Sequence, residues 1–180
     1  MPEATPIRAL PFLAALSAAL VAVPSTLGDR GAGGLRIVEN VDAGILARLN
    51  AIRVEYGLVP LTTNPELELA AETHSAEMLA NGYYAHSSPN GAPWWRRLET
   101  YRAGAATGYC ALGENLIEGS PGVGAAKAVA VWMASPEHRE NILRAGWRDI
   151  GISAIHDHSA PGAFGDRPVT VITVDFGMRH

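Results

Sequence analysis

Residues 130–143 read AVWMASPEHRENIL. The stretch contains the end of one helix, a break and the start of the next. Upstream, Val129 and Trp132, or Ala126, Val129 and Met133, fall at helical spacing, which predicts a helix over roughly Val123 to Ala134. Ser135-Pro136-Glu137 is a start signal. Serine can cap, proline suits the first helical position, and glutamate favours the positive end of the dipole. The next helix is predicted to run to about Arg144.

Outward from this stretch the chain divides by periodicity. From about Asn40, Val41, Ile45, Leu49, Ile52 and Tyr56 step along one face of an amphipathic helix, and Gly57 follows as its stop. Asn64-Pro65-Glu66 repeats the start signal for a helix to about Asn81, with Leu67, Ala71, His74 and Met78 on one face and Gly82 ending it. A short helix is predicted over Pro93 to Tyr101. The tail is β-type. Asp149 to Ile155 and Pro168 to Met178 are rich in β-branched residues, with Val169, Val171 and Thr173 alternating against Thr170, Ile172 and Val174. His156 to Arg167, with Pro161, Gly162 and Gly165, is expected to be a long hairpin loop. Helices first and antiparallel strands last give an α+β fold, with helices packed on a small sheet.

The chain has 180 residues, 48% of them hydrophobic, which suits one domain with a core. A net charge of −4 from 14 Lys+Arg and 18 Asp+Glu argues against a nucleic-acid partner. The single cysteine, Cys110, excludes an internal disulfide, a Cys-rich zinc fold and a CxxC redox site. Ala9 to Val23 reads ALPFLAALSAALVAV, without charge and shorter than the roughly 20 residues of a spanning helix. It predicts a signal peptide over 1–26, with cleavage around Ala19 to Thr26. A Gly-rich linker follows over 27–39, then one domain over 40–180. The mature chain is expected to carry no transmembrane segment and to be secreted, extracellular or in the cell envelope.

Three residues are candidates for chemistry. His86 precedes the turn-forming Ser88-Pro89-Asn90-Gly91, where a helix exit meets a loop. Its alternative role is to pin that loop through the backbone. Glu114, between Gly113 and Asn115-Leu116-Ile117, is a carboxylate in apolar surroundings and needs a cation or donors. A structural ion pair would serve equally. His138, three positions into its helix, sits at the positive end of the dipole, which favours the neutral, metal-ligating form, and its alternative is an ordinary surface histidine or one packed on Trp132. His156 and His158 alternate but suit a solvated pair, and His74 suits a core histidine. Cys110 suits an inert thiol. Of Trp94-Trp95, one ring is expected to be buried and one exposed. No HExxH, G-x-S-x-G or P-loop is present.

Taken in order, Leu49-Asn50-Ala51-Ile52-Arg53, Asn64-Pro65-Glu66-Leu67, Ala71 to Met78, Tyr84 to Pro89, Gly113-Glu114-Asn115-Leu116, Ala130 to Leu143 and Val174-Asp175-Phe176-Gly177 resemble the CAP superfamily. This family of SCP-like extracellular domains includes cysteine-rich secretory, antigen 5 and pathogenesis-related proteins. The match spans about Ile45 to Gly177 and looks like a bacterial, disulfide-free branch. The resemblance implies a three-layer α-β-α sandwich with a small antiparallel sheet between helices and a groove over it. It also implies a cavity with two His and two Glu that takes divalent metal, often zinc. His86, Glu114 and His138 match three of the four. The fourth position, three residues after the tryptophan, is Ser135, with Glu137 nearby. The first expectation is therefore a secreted binding module for a small apolar ligand, lipid, peptide or envelope component. The rivals are a metal-dependent hydrolase using His86, Glu114 and His138, and a structural protein of the envelope.

Overall fold

The computed structural model describes residues 34–104 and 111–178. The expected signal peptide and Cys110 lie outside them. Both helix-start signals open helices, the first with its side-chain cap and the second without one, since the Ser135 side chain makes no capping bond. The Asn64 side chain accepts from the Glu66 and Leu67 amides at 3.0 and 3.2 Å, with Pro65 at the first position, and opens helix Pro65–Asn81. Gly82 ends it in the left-handed conformation at φ 66°. Pro136 opens helix Pro136–Ile142 directly after helix Ala125–Ala134.

The elements in chain order are β1 (Arg36–Ile37), α1 (Glu39–Glu55), β2 (Thr62–Thr63), α2 (Pro65–Asn81), a 3-10 helix (Trp94–Leu98), α3 (Glu99–Gly104), β3 (Leu112–Gly119), α4 (Ala125–Ala134), α5 (Pro136–Ile142), β4 (Asp149–Ala160), a 3-10 turn (Gly162–Phe164) and β5 (Arg167–Gly177). The sheet order is β1-β4-β5-β3, and β2 pairs in parallel with β4 on the edge that β1 also uses. The β4–β5 and β5–β3 pairs are antiparallel.

The sheet is buried on both faces, so this is an α-β-α sandwich. Ile150, Ile152, Ile172, Val174 and Phe176 pack with Ile45 and Leu49 of α1 and with Trp132 and Trp147. The alternate residues Ile155, Val169 and Val171 pack with Met78 and Leu79 of α2. Ser75 of α2 bonds the Thr173 hydroxyl at 2.8 Å and donates to the Ser153 carbonyl at 3.2 Å, pinning the helix to the middle of the sheet. Among the described residues, no helix is long and apolar enough to cross a membrane.

Three expectations need correction. The segment around Glu114 is a strand, β3, which the periodicity did not predict. Its polar pair Glu114-Asn115 hides the pattern, because one residue faces each side of the sheet and each finds its own polar partners. The expected hairpin loop is shorter, because β4 continues to Ala160 through a register shift between Asp157 and Ala160. His156 and His158 are therefore strand residues, with rings 4.8 Å apart. Tyr56 lies past the end of α1 and is exposed, so Arg53 takes the inner position instead.

Residues 130–143 act on the sheet edge. β3 is an edge strand, and unpaired edge carbonyls are a liability. Trp132 Nε1 donates to the Leu116 carbonyl at 2.9 Å, and Asn141 Nδ2 donates to the Glu114 carbonyl at 3.2 Å. The buried Arg53 guanidinium donates to the Ile142 and Arg144 carbonyls at 2.7 and 3.2 Å, capping the end of α5. A cation at a helix C-terminus is favoured by the dipole. These contacts set the helix that carries His138 against the strand that carries Glu114.

Candidate functional site

The loop after α2 is held from several sides. His74 Nε2 donates to the Ala85 carbonyl at 2.9 Å, Arg97 Nη1 donates to the His86 carbonyl at 3.0 Å, and the Ser88 hydroxyl donates to Glu77 at 2.8 Å. The turn closes with Gly91 N–H to the Ser88 carbonyl at 3.0 Å. His74 is wholly buried, and burial lowers its pKa, so it acts as a neutral core histidine, as expected. Loop pinning thus falls to His74, Arg97 and Ser88, which leaves the His86 ring free for another partner.

That partner is Glu114. His86 Nδ1 lies 2.6 Å from Glu114 Oε1. A carboxylate can only accept, so Nδ1 donates to it. The other oxygen, Oε2, accepts from Arg97 Nη2. The Glu114 side chain is 1% exposed, Arg97 11% and His86 52%. A buried acid is held by one buried cation and one half-open imidazole.

Beneath it lies a second acid that sequence reasoning did not assign to the site. Asp175 of β5 stands directly opposite Glu114 of β3 in the ladder and is wholly buried. Among the described residues no side chain other than the facing Glu114 carboxyl is close enough to pair with it. Burial, and then the charge of Glu114, push its pKa well above the ordinary carboxylate value, which favours its neutral form. The available signal was one carboxylate inside the apolar run Val169 to Phe176. Arg97 was missed as well, because Arg96-Arg97 beside two tryptophans looks like an exposed charge pair.

His138 lines the same cavity from α5. The cavity, of about 360 Å³, is bounded by His86, Trp94, Gly113, Glu114, Asn115, Glu137, His138 and Asn141. His138 Nδ1 meets the Ser135 hydroxyl at 2.9 Å, so the residue at the fourth family position orients the second histidine. His138 makes no hydrogen bond to Glu114 among the described residues. Its pKa is lowered, as expected, but through burial first and the nearby His86 charge second. Asn115 of β3 donates to the His138 carbonyl at 3.2 Å and fixes the start of α5. Trp94 is the half-buried ring of its pair and lines the cavity, while Trp95 is exposed and faces Arg102.

The two imidazoles sense each other, and this can be measured. His138 should titrate below an ordinary histidine in proton NMR. Replacing His86 by Gln removes the second cause of that depression, so the His138 midpoint should rise while staying below the ordinary value. An unchanged midpoint would show that the two rings do not share the cavity.

Nε2 of His86 and Nε2 of His138 have no partner within the described residues, but both oxygens of Glu114 are engaged. Among the described residues, no group of three or more His, Cys, Asp or Glu side chains is arranged to hold a metal ion.

A family model described as CAP, the cysteine-rich secretory protein family, matches residues 46–175. Solved structures share the architecture. An outer surface protein of Borrelia burgdorferi aligns at TM-score 0.68 and 18% identity, over 83% of this chain and 100% of its own. An extracellular protein containing an SCP domain from Bacillus anthracis aligns at 0.58 and 23% identity, over 79% of this chain and 41% of its own. A cysteine-rich secretory protein of Staphylococcus aureus aligns at 0.50 and 18% identity, again over 79% and 41%. This chain thus spans about two fifths of the length of those last two. At such identities the likeness shows the fold. No curated protein matches the sequence.

Proposed function

The chain belongs to the CAP family, the cysteine-rich secretory protein family, and on that footing we propose that it is an exported binding module whose ligand is an extended polar chain, a peptide or other envelope component. The observation that carries this is the commitment of Glu114. A hydrolytic metal site needs three protein ligands and an open position, or a free carboxylate as base. Glu114 is already neutralised by Arg97 and hydrogen-bonded to His86, so it serves as the carboxylate behind a histidine, fixing its tautomer and orientation. The expected metal set His86, Glu114, His138 reduces to two imidazole nitrogens.

The cavity walls favour a polar ligand over a small apolar one. Only Trp94 offers a broad apolar surface. The cavity also shares Glu137 and Asn141 with a neighbouring one of about 410 Å³, lined further by Glu140, Leu143 and Arg144. Two adjoining cavities along one helix suit a ligand longer than a compact molecule. Zinc or another divalent ion suits the His86 and His138 Nε2 atoms, where it would supply a Lewis-acid contact to a ligand oxygen. Export is supported by the apolar Ala9–Val23 segment and by the likeness to an outer surface protein and an extracellular protein.

An NMR titration of the labelled chain with a panel of peptides, envelope fragments and fatty acids tests this. Peptide or envelope fragments should shift the Trp94 indole, the His86 and His138 rings and the Asn141 amide. Binding of fatty acids alone would overturn the polar-ligand assignment. Zinc should bind no tighter than micromolar and lose affinity in both His86→Ala and His138→Ala. Nanomolar zinc together with peptidase activity lost in Glu114→Gln would favour the hydrolase instead.

A further inference from the structure

A second cleft lies at the opposite edge of the sheet. There β1 covers the far part of β4 and β2 covers its start, and the stretch between them is flanked by α1 and α2. The cleft has a volume of about 430 Å³. Its apolar part is Ile37, Ala43, Leu46 and Ile152. Its polar part is four carboxylates, Glu39 and Asp42 from α1 and Glu68 and Glu72 from α2, with Thr63 and Ser153. No Lys or Arg side chain lies within ion-pair distance of these four acids among the described residues.

Helix dipoles account for part of this pattern. Glu39 and Asp42 lie in the first turn of α1 and Glu68 in the first turn of α2, where acids are favoured. They do not account for Glu72, which lies beyond that turn. Nor do they account for Ser153. This residue lines the cleft, is only 3% exposed, and its hydroxyl has no hydrogen-bond partner among the described residues. A buried hydroxyl without a partner costs free energy unless a ligand supplies one. One Asp42 oxygen is used structurally, accepting from the Ala154 amide on the strand edge at 2.8 Å.

We propose that this cleft binds a primary ammonium carried on a short aliphatic chain, with the ammonium among Asp42, Glu68, Glu72 and the Ser153 hydroxyl and the chain against Leu46 and Ile152. An ammonium has three donors and no acceptor, which suits carboxylates plus one hydroxyl oxygen. A quaternary ammonium is recognised by aromatic faces, and no lining residue is aromatic. A bare metal ion gains nothing from the apolar wall.

The site carries a proton linkage. Burial, together with Glu68, Glu39 and Glu72, raises the Asp42 pKa to about 7. The lining residues from β1, β2 and β4 are not titratable. Bound ammonium favours ionised Asp42 and lowers that pKa, so binding near neutral pH releases a proton. Affinity therefore rises as pH rises from 6 to 8 and levels off above.

Isothermal titration of the full chain with pentylamine and cadaverine, against pentanol and calcium chloride, tests the proposal. Both amines should bind at one site, pentanol should bind at least tenfold more weakly, and calcium should not compete. Glu68→Gln and Glu72→Gln should each weaken cadaverine about tenfold, the loss of one charge-assisted contact. Ser153→Ala should weaken it severalfold. Titrations in buffers of different ionisation heat should report proton release that disappears in Asp42→Asn. No saturable amine binding at millimolar concentration would overturn the proposal. So would amine binding indifferent to the Glu68 and Glu72 substitutions, or calcium binding that those substitutions abolish.

Discussion

An Arg97→Met variant should unfold about 3–5 kcal/mol more easily than the parent, the cost of breaking a buried ion pair from one side. Methionine fills much of the space, so the loss is of charge more than of packing. It leaves Glu114 at the bottom of the cavity without its arginine, held by His86 and facing the buried carboxyl of Asp175. It also releases the His86 carbonyl, one of the anchors of the loop. For a domain of this size the melting temperature should fall by about 10 °C in thermal denaturation followed by circular dichroism. The double variant Arg97→Met, Glu114→Gln should recover part of the loss, because the penalty comes from the orphaned charge. A single-variant loss below about 1 kcal/mol, the range of solvent-exposed pairs, would show that water reaches Glu114 and that the pair is screened.

This pair also shows what the sequence makes legible. Helix starts at Asn64-Pro65 and Ser135-Pro136 and the stop at Gly82 are local, since each depends on a residue and its immediate neighbours. They were readable for that reason. Trp132 was readable as an inward residue, but its role as donor to an edge carbonyl was not, because that role depends on where β3 lies. Glu114 could be marked as an acid in need of a partner. The partners could not be found, because Arg97, 17 positions away, and Asp175, across the ladder, meet it only after the sheet is assembled. Periodicity also failed where strands carry polar residues with private partners, as at Glu114-Asn115 and at His156 to Ser159. The family resemblance, by contrast, located His86, Glu114 and His138 together, and the structure brings His86 onto Glu114 and lines one cavity with all three. It gave no warning that an arginine would hold the acid.

A Gly151→Ala variant should lose about 3 kcal/mol or more, at or beyond the top of the usual range for overpacking. A Cβ at this position would lie 2.1 Å from the Leu67 carbonyl carbon, 2.3 Å from its oxygen and 2.3 Å from the Glu68 nitrogen. These are backbone atoms in the first turn of α2, and no rotamer change can move them. The turn is fastened to the same strand, since the Asn64 amide donates to the Ile150 carbonyl at 2.9 Å and the Asn64 side chain caps the helix. Admitting one methyl group means lifting α2 from β4 and straining the Ser75 contacts to Ser153 and Thr173. The displacement would pass along α2 to His74, and from there to Ala85 and the His86 loop. The variant should therefore also shift the His138 titration midpoint, although Gly151 lies outside the cavity. Gly57→Ala serves as the control. Gly57 has φ +68° with no atom within 4 Å of an added Cβ, so it should cost only the backbone term of about 1–2 kcal/mol and leave the His138 midpoint in place. If Gly151→Ala matched that control in both measurements, the α2–β4 contact would be looser than the structure shows, and the His86 loop would be positioned by Arg97 and Glu114 alone.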